Sequence, residues 1–143
     1  MPQQEQMITV APNVTDDLLA NPGMGWQTFH TFADVDPNLA GLPASTCYFR
    51  WYWSELEPVA GQIDFAMLDG VLARARAAGQ QLAFRVMSAG TDEAYMRSPR
   101  WLKDAGCPGY EFTYGGSAHW TPDHDAPLFL EQHLRLLAEL GRR

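Results

Sequence analysis

A chain of 143 residues, 46% hydrophobic and 19% charged, carries enough apolar material for one packed domain, and this composition excludes a disordered segment. Its net charge of −7, from 10 basic and 17 acidic residues, argues against nucleic acid and anionic membrane as partners, because both select basic patches. No stretch reaches the roughly 18 apolar residues of a membrane helix, so no membrane partner is expected.

Cys47 falls in an expected buried strand and Cys107 in a Gly/Pro loop, without CxxC or Cys/His ligand spacing. Two reduced thiols are expected, as in a reducing compartment. The opening MPQQEQMITV lacks the basic start and apolar centre of a signal peptide, and a cytoplasmic location is expected.

Residues 1–20 read as an N-terminal extension. Within it, Met7 to Val10 suggests a short edge strand and Asp16 to Ala20 one helical turn, broken by Asn21-Pro22-Gly23. Residues 21–143 read as the folded domain. Met24 to His30 predicts a first core strand, with Met24, Trp26 and Thr28 on one face. Thr31 to Ser45 is rich in Pro, Gly, Asp and Asn and predicts a loop. Cys47 to Trp51 predicts a second strand, with the weak polar alternation of a strand covered on both faces.

Arg50 to Glu57 then forms a polar, aromatic segment that ends in Pro58 and Gly61. A helix follows, with Asp64 as N-cap, an apolar stripe of Phe65, Leu68, Val71, Leu72 and Ala75, and Gly79 as its stop. Leu82 to Met87 predicts a third strand, interrupted by Arg85. Strand, loaded loop, helix, strand is the βαβ pattern of a parallel sheet, in which chemistry sits in the loops after the strands.

Further on, Ser98-Pro99 predicts an N-cap and first position of a short helix ending at Gly106. Cys107 to His124 reads as a long, ordered, irregular segment containing Gly115-Gly116. Asp125 is the expected cap of a final helix. Phe129, Leu130, Leu134, Leu137 and Leu140 lie along one expected face of it, and Gly141 is its stop.

Three pieces of the chain resemble the N-terminal part of (β/α)₈-barrel glycoside hydrolases of the β-galactosidase-like, retaining kind. They are Asn21-Pro22-Gly23-Met24-Gly25-Trp26, the segment Arg50 to Pro58 with Gly61 and Asp64-Phe65 behind it, and the apolar strand Leu82 to Met87. The resemblance covers about Asn21 to Gly141 and implies an α/β fold, a partial TIM barrel of about three βα units. It also implies a carbohydrate pocket at the C-terminal ends of the strands. A closed barrel of this kind takes about 250 residues. The family's acid/base Glu, usually after Asn at the end of the fourth strand, and its nucleophile Glu at the end of the seventh have no counterpart here, because no Asn-Glu pair occurs. No catalytic residue is carried over.

Glu55 and Glu57 are the candidate carboxylate pair, since a glycosidase needs two carboxyls roughly 5 to 9 Å apart. On an extended segment both would face one side. The competing expectation, which the resemblance favours, is a structural Glu-Pro element whose carboxylate accepts backbone or Arg hydrogen bonds. Arg50 and Arg85 fall near the ends of neighbouring strands. Each suits either a bidentate contact to substrate or internal pairing with Glu55 or Glu57. Among five tryptophans, Trp51 is expected buried, and Trp26, Trp53 and Trp120 are candidate sugar-stacking faces.

His30, at the end of the first strand, is a candidate pocket residue. His119, Asp123 and His124 form a His/Asp cluster of the kind that holds a divalent metal, although Pro122 and a helix cap account for the same letters. No nucleotide-binding or serine-hydrolase motif occurs, and no cofactor is expected.

Three parallel strands cannot close a barrel, and the free apolar edge predicts a homo-oligomer, with segments exchanged between copies as one route. Two functional expectations stand. One is a glycoside hydrolase-like protein with a carbohydrate pocket and weak or no hydrolysis. The other is a non-catalytic truncated fragment or sugar-binding module.

Overall fold

The computed structural model of the protein describes residues 9–14, 16, 23–39, 41–89 and 97–143. The strand expected at Met7 to Val10, the turn at Asp16 to Ala20 and the Asn21-Pro22 break lie wholly or largely outside them.

Three parallel strands, β1 (Gln27–Phe29), β2 (Thr46–Tyr52) and β3 (Gln81–Met87), form one sheet in the order β1-β2-β3. Cys47 pairs with Thr28 on one side and Leu82 on the other, and Arg50 stands directly beside Arg85. After β2 the chain makes one helical turn, α1 (Trp53–Leu56), then a loop, then α2 (Phe65–Ala77). Asp64 caps α2, its Oδ1 accepting from the Met67 amide at 3.1 Å, and Gly79 (φ 69°) reverses the chain into β3. A βαβ unit therefore connects β2 to β3, as the spacing predicts.

Alternation along β2 separates two faces. Cys47, Phe49 and Trp51 point toward α2 and form a core with Leu56, Leu68 and Ala75. Gln80, buried at the foot of the sheet, ties it to the loop after β1. Its Nε2 donates to the Thr46 carbonyl at 3.1 Å, and its Oε1 accepts from the Ala33 amide at 2.9 Å. The opposite face carries Phe29, Tyr48, Arg50, Tyr52 and Arg85, with the Phe29 and Tyr48 rings stacked at 5.9 Å.

The second half departs from expectation in three places. Cys107 to His124 is not irregular: β4 (Gly109–Tyr114) and β5 (Ser117–Pro122) pair antiparallel. Gly115 (φ 57°) and Gly116 (φ 81°) form the two-residue turn, a conformation that glycine adopts without steric cost. The short helix α3 (Arg100–Asp104) begins one residue later than predicted, with Pro99 as its N-cap.

The final helix, α4 (Pro127–Arg142), starts from Ala126 and runs through Gly141. Asp125 is not its side-chain cap; its amide instead donates to Asp123 Oδ1 at 3.1 Å. The buried positions are Phe129 and Leu136, whereas Leu130, Leu134 and Leu137 remain 45%, 63% and 45% exposed. The apolar surface of α4 is wider than one stripe, and the core takes the neighbouring line.

This half packs around Trp53, Leu102, Cys107, Trp120, Phe129 and Leu136, and Val86 and Leu140 touch both this cluster and the one under the sheet. The fold is thus mixed α/β with an open parallel sheet. Among the described residues no strand closes it into a barrel. No helix among them is long and apolar enough to cross a membrane.

Candidate functional site

Where β1, β2 and β3 end, a cleft of about 360 Å³ opens, lined by Phe29, His30, Arg50, Tyr52, Glu55 and Met87. Strand pleat brings most of these side chains together, because Phe29, Arg50, Tyr52 and Met87 all lie on the face that α2 leaves uncovered. Arg50 lays its guanidinium over the Phe29 ring at 4.5 Å. Arg85 reaches along its own strand, with a nitrogen 3.9 Å from the Met87 sulfur at the cleft's edge. Tyr52 is held from behind by the buried Arg97, whose guanidinium lies 3.4 Å from the ring centroid.

His30 is the one non-glycine among the described residues with positive φ, at 53°. An L-residue rarely adopts this left-handed conformation, and strain of this kind concentrates at binding sites. The His30 amide still extends the sheet by donating to the Tyr48 carbonyl at 3.0 Å, so the ladder fixes the distorted residue in place.

Glu55 and Glu57 do not form a pair. The segment is helical rather than extended, and residues two apart on a helix face different directions. Glu55 stays at the cleft, its Oε2 accepting from the Tyr52 amide at 3.0 Å. Glu57 is fully buried. Its carboxylate accepts from Trp53 Nε1 at 2.9 Å and from the Gly61 amide at 2.6 Å, and it is ion-paired with Arg135. The indole of Trp101 donates to the Glu57 carbonyl at 2.9 Å. Glu57 is thus a brace, and Arg135 rather than Arg50 or Arg85 is its cationic partner. Glu55 faces the cleft and Glu57 lies inside the protein, so the two carboxylates do not face a common space.

The aromatic candidates separate as well. Trp51 is buried, as expected, but so are Trp53 and Trp120, and neither offers a face to a sugar. Both were drawn inward by the second core, which β-strand and helix patterns alone did not reveal. Trp26 is 60% exposed, yet it precedes β1 and stands at the opposite end of the sheet from the cleft. A second hollow of about 470 Å³ occupies that end, lined by residues including Gly25, Gln27, Thr46 and Gln81, with no ionisable side chain among its described lining residues.

His119, Asp123 and His124 do not converge. The His119 ring stacks on Phe112 and its Nε2 lies 3.3 Å from the Tyr114 carbonyl. His124 packs edge-on against Phe129, and Asp123 serves the turn before α4. Among the described residues no three His, Cys, Asp or Glu side chains form a ligand set.

Cys47 and Cys107 are free thiols. Burial pushes both up from the ordinary thiol value, and the Asp123 charge adds to the effect at Cys107, so neither is activated as a nucleophile. His133, which the sequence reading passed over, stacks on Phe129 at 5.3 Å and faces Trp53. Burial, reinforced by His124, holds its imidazole below the ordinary value. Arg97 and Arg135 were also missed. Arg135 sits among the leucines of α4, where one cation on a core-facing line was the available sign.

The cleft can therefore stack a ring against aromatic faces, donate from guanidinium groups and accept at Glu55. It holds a single carboxylate among its described lining residues. No family model matches the chain, and no curated protein matches it.

Proposed function

We propose that the chain is a carbohydrate-binding protein of the partial-barrel, glycoside hydrolase-like kind, with weak or no hydrolysis. The observation that supports this reading is the grouping of Phe29, Tyr52, Arg50 and Glu55 in one cleft beyond the C-terminal ends of parallel strands. Aromatic faces match the C–H face of a sugar, and fixed polar groups at strand ends select its hydroxyls. The lone Glu55 favours binding over turnover, because retaining and inverting hydrolysis both need two carboxyls.

A panel of oligosaccharides titrated against the protein by calorimetry tests the reading. Saturable binding that Tyr52→Ala weakens supports it; no heat with any sugar rejects it. Aryl glycosides complete the test. Steady hydrolysis abolished by Glu55→Gln in a folded variant would overturn the non-catalytic part.

We further propose that copies of the chain associate. β3 is an edge strand of the described sheet, and Leu130, Leu134 and Leu137 leave an apolar stripe on α4. Unpaired edges and contiguous apolar stripes both favour burial against a second copy.

A further inference from the structure

We infer that the cleft takes an acidic sugar, one bearing a carboxylate, and that Arg50 and Arg85 together bind that group. This rests on the sugar-binding reading above and specifies its ligand.

Arg50 and Arg85 are register partners on adjacent parallel strands. Both lie on the uncovered face, with backbones about 4.8 Å apart. Like charges placed directly opposite on a sheet destabilise it. Several other arginines have carboxylate partners, among them Arg74 with Asp34, Arg135 with Glu57 and Arg143 with Asp69. Neither Arg50 nor Arg85 has a carboxylate partner among the described residues. Among the described residues Arg50 lies over the Phe29 ring and Arg85 makes the weak contact to the Met87 sulfur. A protein of net charge −7 thus sets two arginines at neighbouring strand positions, Arg50 lining the cleft and Arg85 flanking it beside Met87, with no carboxylate partner for either among the described residues.

A local rule broken without an internal compensation marks a site whose compensation arrives with a ligand. The planar fork of guanidinium matches a carboxylate with two parallel hydrogen bonds. The strained His30 beside Phe29 makes the second independent sign of a built site. The sugar ring would lie toward Phe29 and Tyr52 with its acid group on the arginines.

The test uses the full chain and calorimetric titration with short oligogalacturonates and oligoglucuronates, each also as its methyl ester, alongside sodium sulfate. The expected result is binding of a free acid that weakens with salt and falls roughly tenfold or more in its ester. Arg50→Gln and Arg85→Gln should each reproduce a loss of that size while melting as the parent does. Arg50→Lys, which keeps the charge and loses the fork, separates bidentate recognition from simple attraction. Equal affinity for acid and ester would overturn the inference and leave sugar binding intact. Sulfate binding as tightly as the uronates would overturn the inference, since the arginines would then read charge and not a sugar acid. Absence of binding by every uronate and ester would overturn it as well, and the neutral oligosaccharides of the panel above then decide the sugar reading separately.

Discussion

Glu57 and Arg135, 78 positions apart in the sequence, form an ion pair that ties the loop after β2 to the middle of α4. The glutamate is fully inside the protein and the arginine side chain is 31% exposed. The pair is therefore one-sided. Removing the arginine would strand a buried carboxylate that keeps only the Trp53 and Gly61 donors.

Arg135→Met is accordingly expected to destabilise the fold by about 3 kcal/mol, because the desolvated carboxylate loses its counter-charge. Glu57→Gln should cost less than Arg135→Met, since a neutral amide carries no uncompensated charge. Urea denaturation of the three proteins checks the order. Equal stability of parent and Arg135→Met would show that the pair holds nothing.

His133 makes stability fall toward acid. Its folded imidazole lies below the ordinary value, first through burial and then through His124. Between the unfolded value, about 6.5, and the lower folded one, the unfolded chain binds the extra proton. Stability is therefore full above about pH 6.5 and declines as the pH drops through that window. Melting temperatures measured from pH 8 to pH 5 should show this slope, and His133→Gln should flatten it. An unchanged slope in the variant would assign the effect elsewhere.

Gly109 opens β4 against the face of Trp120. A Cβ there would stand 2.5 Å from the indole Cε2 and from its Nε1. Gly109→Ala should cost about 1–3 kcal/mol through displacement of that ring. Gly70→Ala, in α2 with open space around it, should be neutral or stabilising by up to about 1 kcal/mol. Chemical denaturation of the two variants side by side distinguishes steric crowding from a general response to alanine.

Self-association should appear in light scattering as a mass above 16.0 kDa that rises with concentration. Leu134→Glu places a charge in the centre of the exposed α4 stripe and should lower that mass. A parent protein that stays monomeric across the micromolar range would reject the association.

The parallel sheet and α2 were legible because local rules agree there. Asp64 and Gly79 delimit a helix, and the strands on either side are short apolar runs. The hairpin is hard to see because Gly115-Gly116 also suits an irregular loop, although Tyr110, Phe112 and Tyr114 alternate before it in the manner of a strand. The Glu55/Glu57 pair failed on a single local assumption, an extended chain where one helical turn occurs. Trp53 and Trp120 failed for a different reason. Their burial is decided by α4, a partner far along the chain that no local pattern names. Arg50 and His30 lie near strand ends, which a βαβ pattern locates from the sequence; that Arg50 and Arg85 stand opposite each other requires the register.

The two clusters that share Val86 and Leu140 differ in the span of chain they need. The one under the sheet draws its buried members from Cys47 to Ala75 and can assemble early during synthesis. The other joins Trp53 to Phe129 and Leu136, and so must wait until α4 has been made. Until then Glu57 lacks Arg135 and Trp53 lacks Phe129, and the loop that presents Glu55 is not yet tied to α4. A nascent chain would thus hold its sheet before it holds its cleft, and α4, made after both the sheet and the loop, is the helix that sets the site.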